Sequence, residues 1–201
     1  MTDLSRQGIH MVARPLVIPR VHLPEGFSLV HLPAADVRDT WCALLPRCDL
    51  LDNVNEAQTI FDRDFAPRLS DFAERCVFLR DDGKDCLIGT ATAWFPAPEW
   101  PDFGLVHWVG VLPEYRGRSL SLPILARVLS IMAQQYHQAY LSTQGFRLAA
   151  ILQYLRLGFR PCYTSEVSRQ AWEEVATHIH HPGLLHPLAG CPPSNQRNDA
   201  P

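Results

Sequence analysis

Lysine is almost missing from this chain: of 18 basic residues 17 are arginine, and Lys84 is the one lysine. A Schiff-base enzyme or a P-loop phosphate site needs a lysine in an apolar pocket or after a glycine-rich turn. Lys84 sits in neither, because Asp81-Asp82-Gly83-Lys84-Asp85 reads as a polar turn. An excess of one charge is missing too, with 18 basic against 21 acidic residues and a formal charge of -3, so nucleic acid is not an expected partner. No uncharged run approaches the ~20 residues of a membrane span, and the start, Met-Thr-Asp-Leu-Ser-Arg-Gln, has no apolar core of a signal peptide. The expectation is a soluble cytoplasmic protein without a membrane partner. Paired cysteine motifs are also lacking. The six cysteines at 42, 48, 76, 86, 162 and 191 form no C-x-x-C, and 201 residues that are 47% apolar can bury a core without staples. Buried thiols are expected, rather than bridges or zinc ligands.

What is present is a succession of short periodic segments. The first ~25 residues, with Pro15, Pro19 and Pro24, read as an extended arm. Phe27 to Leu32 reads as a strand, followed by a helix capped by Asp36 and a longer amphipathic stretch capped by Asn55, bent at Pro67 and running to Arg75. Cys76 to Arg80 and Leu87 to Phe95 form a hairpin about the Lys84 turn, and Phe103 to Leu112 is the next strand. Its alternation sends Phe103, Leu105, His107, Val109 and Val111 one way and Gly104, Val106, Trp108 and Gly110 the other. Helical spacing then runs from Leu120 to Tyr136 with Pro123 in the first turn, followed by a strand at Ala139 to Ser142. A helix from Arg147 closed by Gly158, a strand from Phe159 to Thr164 and a helix near Ser168 to Thr177 complete the pattern. Residues 178–201, rich in proline, are expected to be a mobile tail. The order predicts a mixed α/β layer with one core, residues 26–177 forming the domain.

The chemistry concentrates between Val109 and Leu122, where an apolar strand enters a compact turn, Glu114-Tyr115-Arg116-Gly117-Arg118-Ser119, that opens a helix. Backbone N–H groups at a helix start point outward, the helix dipole favours negative charge, and a small residue lets a phosphate reach the main chain. The run Arg116-Gly117-Arg118-Ser119-Leu120-Ser121, preceded by Val111-Leu112-Pro113, resembles the signature of the GCN5-related N-acetyltransferases, Arg or Gln, two residues, Gly, one residue, then Gly or Ala. A second element of that family follows at the expected distance in Ala150-Ile151-Leu152-Gln153-Tyr154-Leu155-Arg156-Leu157-Gly158-Phe159.

The resemblance implies the GNAT acyl-CoA N-acyltransferase fold, a central, mostly antiparallel, splayed sheet with helices on both faces and acetyl-CoA wedged between the strands ending at Val111 and Ser142. It implies that main-chain groups of Val109 and Val111 meet the pantetheine arm. The turn of Arg116, Gly117, Arg118, Ser119, Leu120 and Ser121 would cradle the pyrophosphate, and Thr143, Arg147 and Ala150 would complete the cofactor-binding set. Both signature glycines are serine here, at 119 and 121. Serine lacks glycine's freedom at positive φ but adds a hydroxyl donor. Arg147 stands where the family often has asparagine.

Acyl transfer to an amine needs a free-base nucleophile, a route for its proton, a polarised carbonyl and an acid for the departing thiolate. By the resemblance Tyr154 is that acid. His107 is the candidate base, titrating near ~6.5 and expected on the same side as Val109 and Val111. Glu56, Asp62, Asp64 and Glu99 are the carboxylates available to an acceptor, and Trp94, Phe95 and Trp100 either wall its pocket or pack in the core. The histidines at 178, 180, 181 and 186 lack the spacing of a metal site, so no metal is expected. The implied activity is transfer of acetyl from acetyl-CoA to a small-molecule or peptide amine by a monomer or homodimer. The alternative is a non-catalytic acyl-CoA-binding sensor with a degenerate phosphate loop.

Overall fold

A computed structural model describes residues 8–181, 184, 186–188 and 191. Its elements are β1 (Gly8–Ala13), β2 (Phe27–Val30), α1 (Ala34–Arg47), α2 (Val54–Asp64), α3 (Leu69–Arg75), β3 (Cys76–Asp81), β4 (Cys86–Trp94), β5 (Phe103–Val111), α4 (Ser121–Met132), β6 (Gln138–Gln144), α5 (Leu148–Arg156), β7 (Arg160–Cys162) and α6 (Glu166–His178). Seven strands follow the order β2-β3-β4-β5-β6-β1-β7. Pairing is antiparallel between β2 and β3, β3 and β4, β1 and β6, and β1 and β7, and parallel between β5 and β6, registered at Phe103↔Gln138 to Leu105↔Tyr140. The expected mixed, mostly antiparallel α/β sheet is therefore present.

The expected single core is not. The chain divides into two compact units, one of Pro19–Trp94 and Val106–Met132, the other of Met1–Ile18, Phe95–Leu105 and Ala133–Pro201. In the first, β2, β3, β4 and the end of β5 carry helices on both faces. A Cβ placed on Gly89 of β4 would lie 3.3 Å from Ile124 of α4, whereas Trp94, of opposite parity on the same strand, packs edge-on to Phe65 and Phe72. Trp41 of α1 stands at the centre of the aromatic group, with Phe61, Phe65, Phe72 and Trp108 all within 6.0 Å between ring centres.

In the second unit the predicted N-terminal arm is partly a strand: β1 lies between β6 and β7, with Ile9, Met11 and Val12 buried. Its partners are more than a hundred residues away, so no local pattern marks it. The tail is also partly docked, since Leu188 N–H donates to the Pro161 carbonyl at 3.0 Å beside the edge strand β7. That placement brings Cys191 to Cys162, and the two form a disulfide with Cα atoms 5.8 Å apart, which corrects the expectation of thiols only. Cys42, Cys48 and Cys76 are buried free thiols as expected. Residues 1–7 of the predicted arm and 192–201 of the predicted tail lie outside the described residues. Among the described residues no helix is long and apolar enough to cross a membrane, and no group of His, Cys, Asp or Glu is arranged to hold a metal.

Helix starts differ by one to three residues from expectation. Asn53, not Asn55, caps α2, accepting from Glu56 N–H at 3.0 Å while the Glu56 carboxylate accepts from Asp52 N–H at 2.8 Å. Pro33 stands at the cap of α1 and Asp36 falls in its first turn, a favourable place for a carboxylate.

Gly110 is a close-approach residue: a Cβ there would meet Leu50 Cδ1 at 2.7 Å and Cys48 Cβ at 2.9 Å. Gly110→Ala is expected to destabilise the protein by about 1–3 kcal/mol through overpacking, measured as a lower urea midpoint. Gly83→Ala, whose new methyl would meet only Asp81 Oδ1 at 3.5 Å, should change it little.

Candidate functional site

The strand that leads into the turn breaks its own alternation. Trp108 has φ 51, a left-handed conformation that a bulky residue rarely adopts, and it sits inside β5. The rings of His107 and Trp108 are consequently 5.1 Å apart, on one face, where neighbours in a regular strand would point oppositely. That face holds Phe65, 6.0 Å from His107, and Trp41, 5.6 Å from Trp108. Val111 faces the other way, its Cγ2 3.2 Å from a Cβ built on Gly89, beside α4. His107 therefore does not share a face with Val109 and Val111, contrary to the regular alternation expected.

Its chemistry changes with its place. Among aromatic rings the imidazole loses hydration, and burial lowers its pKa to about 4, with the Asp64 charge opposing the shift. It is neutral at pH 7 but a proton acceptor of only carboxylate strength, not the base titrating near neutrality that its type suggests.

Beyond Val111 a short 3-10 turn, Pro113–Tyr115, leads into Arg116, Gly117 with φ 77, Arg118, and Ser119 with φ 58. Ser119 thus takes the left-handed conformation that glycine would take at no steric cost. Ser121 is the first residue of α4 and has no such demand, so the second serine replacement is conformationally neutral. Among the described residues, the N–H groups of Gly117, Arg118, Ser119, Leu120 and Ser121 donate to no protein acceptor. They stand at the positive end of a 12-residue helix, an arrangement suited to an anion.

Arg116 is not a free phosphate ligand. Its Nε donates to the Val111 carbonyl at 3.0 Å, Nη2 to the Cys48 carbonyl at 2.8 Å, and Nη1 pairs with Asp49 at 3.0 Å. The planar fork ties the turn to the end of α1, a positioning role in place of the expected contact. Arg118 lies exposed over the ring of Tyr115, 5.2 Å from its centre. The Tyr115 hydroxyl donates to Asp81 at 2.7 Å and accepts from Lys84 Nζ at 2.9 Å. The single lysine, a turn residue, thus holds the aromatic ring from which the turn before α4 starts.

The second motif lies in the other unit. Thr143 is on β6, paired with Ile9. Arg147 precedes α5, its Nε donating to Gln144 Oε1 at 3.1 Å and its guanidinium 5.4 Å from the centre of the Phe146 ring. Ala150 and Tyr154 are one turn apart on α5. The helix closes in a Schellman motif: Phe159 N–H donates to the Tyr154 carbonyl at 3.0 Å, Gly158 N–H to Leu155 at 3.1 Å, and Gly158 has φ 89. Tyr154 and Phe159, at the positions this motif brings into contact, have rings 6.1 Å apart. The spacing Tyr, three residues, Gly-Phe is thereby a capping geometry that fixes the tyrosine. Burial pushes the Tyr154 phenol up to about 12, the Arg147 charge opposing, so it is a proton donor across the neutral range.

Of the aromatics expected near an acceptor, Trp100 is core: it is 3% exposed and stacks on Tyr140 at 4.7 Å and on His10 at 5.8 Å. Trp94 is half-buried beside Phe65.

The profile of the acetyltransferase (GNAT) family matches residues 38–159, more than half of the chain. The chain belongs to the GNAT family. Solved structures agree on the GNAT fold. A GCN5-related N-acetyltransferase from Sphaerobacter thermophilus is 16% identical with a TM-score of 0.58, over 77% of this chain and 48% of that one. A GNAT-family acetyltransferase from Colwellia psychrerythraea is 9% identical with a TM-score of 0.58, over 77% and 52%. A tandem GNAT protein of the clavulanic acid pathway is 21% identical with a TM-score of 0.53, over 77% and 50%. This GNAT chain spans about half the length of these structures. No curated protein matches it.

Two outcomes follow for this GNAT site. Ser119→Gly should stabilise the protein by about 0.5–1 kcal/mol, relief of the left-handed strain exceeding glycine's entropy cost, seen as a higher Tm. For His107 the folded pKa lies below the unfolded value of ~6.5, so the unfolded chain binds the proton first on acidification. Stability is expected to fall as pH drops from about 6.5 to about 4, with no further contribution below. His107→Phe should flatten that part of the profile, read from urea midpoints at pH 7 and 4.5.

Proposed function

We propose that this GNAT protein transfers an acetyl group from acetyl-CoA to a primary amine of a small molecule or peptide, in the cytoplasm, by direct attack of the amine on the thioester. The reading is carried by the turn at Gly117 to Ser121, whose main-chain N–H groups find no acceptor among the described residues at the start of α4. A pyrophosphate would satisfy those donors and meet the positive end of the helix. Arg118 adds an exposed positive charge beside them. Main-chain groups of Val109 and Val111 would align the pantetheine, and one of their N–H groups would polarise the thioester carbonyl.

In this reading Tyr154 gives its proton to the leaving thiolate. A phenol held protonated by burial suits that step, because it stays loaded over the whole range in which an amine can be a free base. Arg147, already engaged with Gln144 and Phe146, steadies the start of α5 and lends its charge to the phenol's surroundings. The base expected at His107 is not carried into the proposal: an amine arriving as the free base attacks directly, the proton its nitrogen sheds as the amide forms passes to water, and solvent returns a proton to Tyr154. The weak basicity of His107 favours one alternative, a non-catalytic acyl-CoA binder that keeps the phosphate cradle and makes no use of Tyr154.

Thiol release from acetyl-CoA with a panel of amines separates the two. Tyr154→Phe is expected to lower kcat by about 100-fold, a usual size for a lost general acid, while the thermal shift given by CoA is retained. Equal rates in the two proteins would remove the acid role, and CoA binding without turnover on any amine would establish the binder. Because the Tyr154 phenol titrates near 12, the parent's rate should show no alkaline fall from this group below about pH 10.

A further inference from the structure

The acidic side chains of α2 are all engaged. Asp62 takes both Nε and Nη2 of Arg38 at 2.8 Å, and Asp64 takes Nε and Nη2 of Arg63 at 2.6 and 2.7 Å. Glu56 is held by the N–H of Asp52 at 2.8 Å. Bidentate arginine pairs satisfy a carboxylate's geometry and its charge together. A polyamine or an aminoglycoside, which needs several carboxylates, finds none unmatched on this helix.

The residue after α2 begins a different surface. Phe65 is fully buried, with Trp94 edge-on at 4.9 Å, Phe72 at 4.5 Å and His107 at 6.0 Å. Trp94 from β4 and His107 from β5 flank Phe65 and are half-buried residues, whereas Phe61, Phe65, Phe72 and Trp41 of the same group are fully buried. The left-handed Trp108 is what turns His107 to this face, and backbone strain of that kind marks sites where a side chain is re-aimed. His107 is also two residues from Val109 on the same strand, β5.

We propose that Trp94 and His107, backed by the buried Phe65, form the wall that receives the acceptor, and that the acceptor is a monoamine on an aromatic or branched apolar skeleton. The inference rests on the acetyl-transfer reading above and names the substrate class of the same site. Edge-to-face and stacked contacts of such a skeleton with Trp94 and the neutral imidazole supply affinity without a counter-charge, and a single ammonium gains from the face of the indole.

Binding of 2-phenylethylamine and of spermidine to the full chain, followed by tryptophan fluorescence and thermal shift, tests it without turnover. The expected result is that 2-phenylethylamine quenches fluorescence and raises Tm while spermidine at the same concentration does neither. Trp94→Leu should weaken 2-phenylethylamine binding about fivefold, the order of one aromatic contact, and leave the CoA-induced shift intact. His107→Leu serves as the second variant if Trp94→Leu does not fold. Preferential binding of spermidine, no binding of 2-phenylethylamine, or affinity unchanged in both variants overturns the assignment. Loss of the CoA shift in the parent would instead sink the acetyl-transfer reading, while the amine titration still decides whether the wall binds such a molecule.

Discussion

The left-handed Trp108 is the constraint on which the first unit is arranged. One residue at φ 51 inside β5 changes the phase of the strand, so that Trp108 and Gly110 continue on the face that His107 began. A residue held in that region costs on the order of 1–3 kcal/mol. Burial of a large aromatic side chain returns at least ~1.5–3 kcal/mol, and each well-placed ring pair adds ~0.5–1.5. Trp108 is 7% exposed and edge-on to Trp41, so the packing outweighs the strain. With the phase changed, Gly110 lies close against Cys48 and Leu50, Val111 faces the α4 side, and the chain enters the turn at Gly117 to Ser121. The left-handed residue is thus part of the fold's geometry before it is part of any chemistry.

Arginine then does a second kind of work. Arg116 spans the Val111 carbonyl, the Cys48 carbonyl and Asp49, closing the turn against the end of α1. Arg38 and Arg63 clamp Asp62 and Asp64, with Arg38 and Asp62 side chains 35% and 53% exposed. Pairs this exposed contribute little to stability. Their consequence is chemical: with Glu56 held by the N–H of Asp52, they leave α2 without an unmatched carboxylate. The one lysine has a comparable place, since its bond to Tyr115 joins the β3–β4 hairpin to the turn before α4.

The parts of this structure that were legible in the sequence are those governed by local rules. The β3–β4 hairpin, α4 and the closure of α5 by Gly158 follow from alternation, helical spacing and a left-handed cap, and the motifs at Arg116 and Tyr154 lie on elements of the expected type. What escaped depends on distant partners or on backbone phase. β1 is recognisable only through its register with Gln138–Gln144, and Cys162 finds Cys191 only because Leu188 docks on β7. The left-handed backbone at Trp108 is invisible to a pattern in which apolar residues occupy both faces. Its sole signal was a run, His107-Trp108-Val109, with large side chains at consecutive positions. That one change of phase removed His107 from the face it was expected to share with Val109 and Val111.

The two serines show why a glycine signature should be read position by position. Glycine is required by conformation only where φ is positive, and by space only where a Cβ would collide. Gly117 meets the first condition and has nothing within 4 Å of an added Cβ. Ser119 meets the first condition with a side chain in place, at a cost of about 1–2 kcal/mol. Ser121 meets neither demand on the backbone, because it is already an ordinary helical residue at the start of α4. A cradle made of main-chain N–H groups depends on their directions, and those are set by the sequence of left-handed and helical residues and by the Arg116 clamp. The serine replacements alter the energy of holding that path, not the path itself, and leave the donors at the helix start available to an anion.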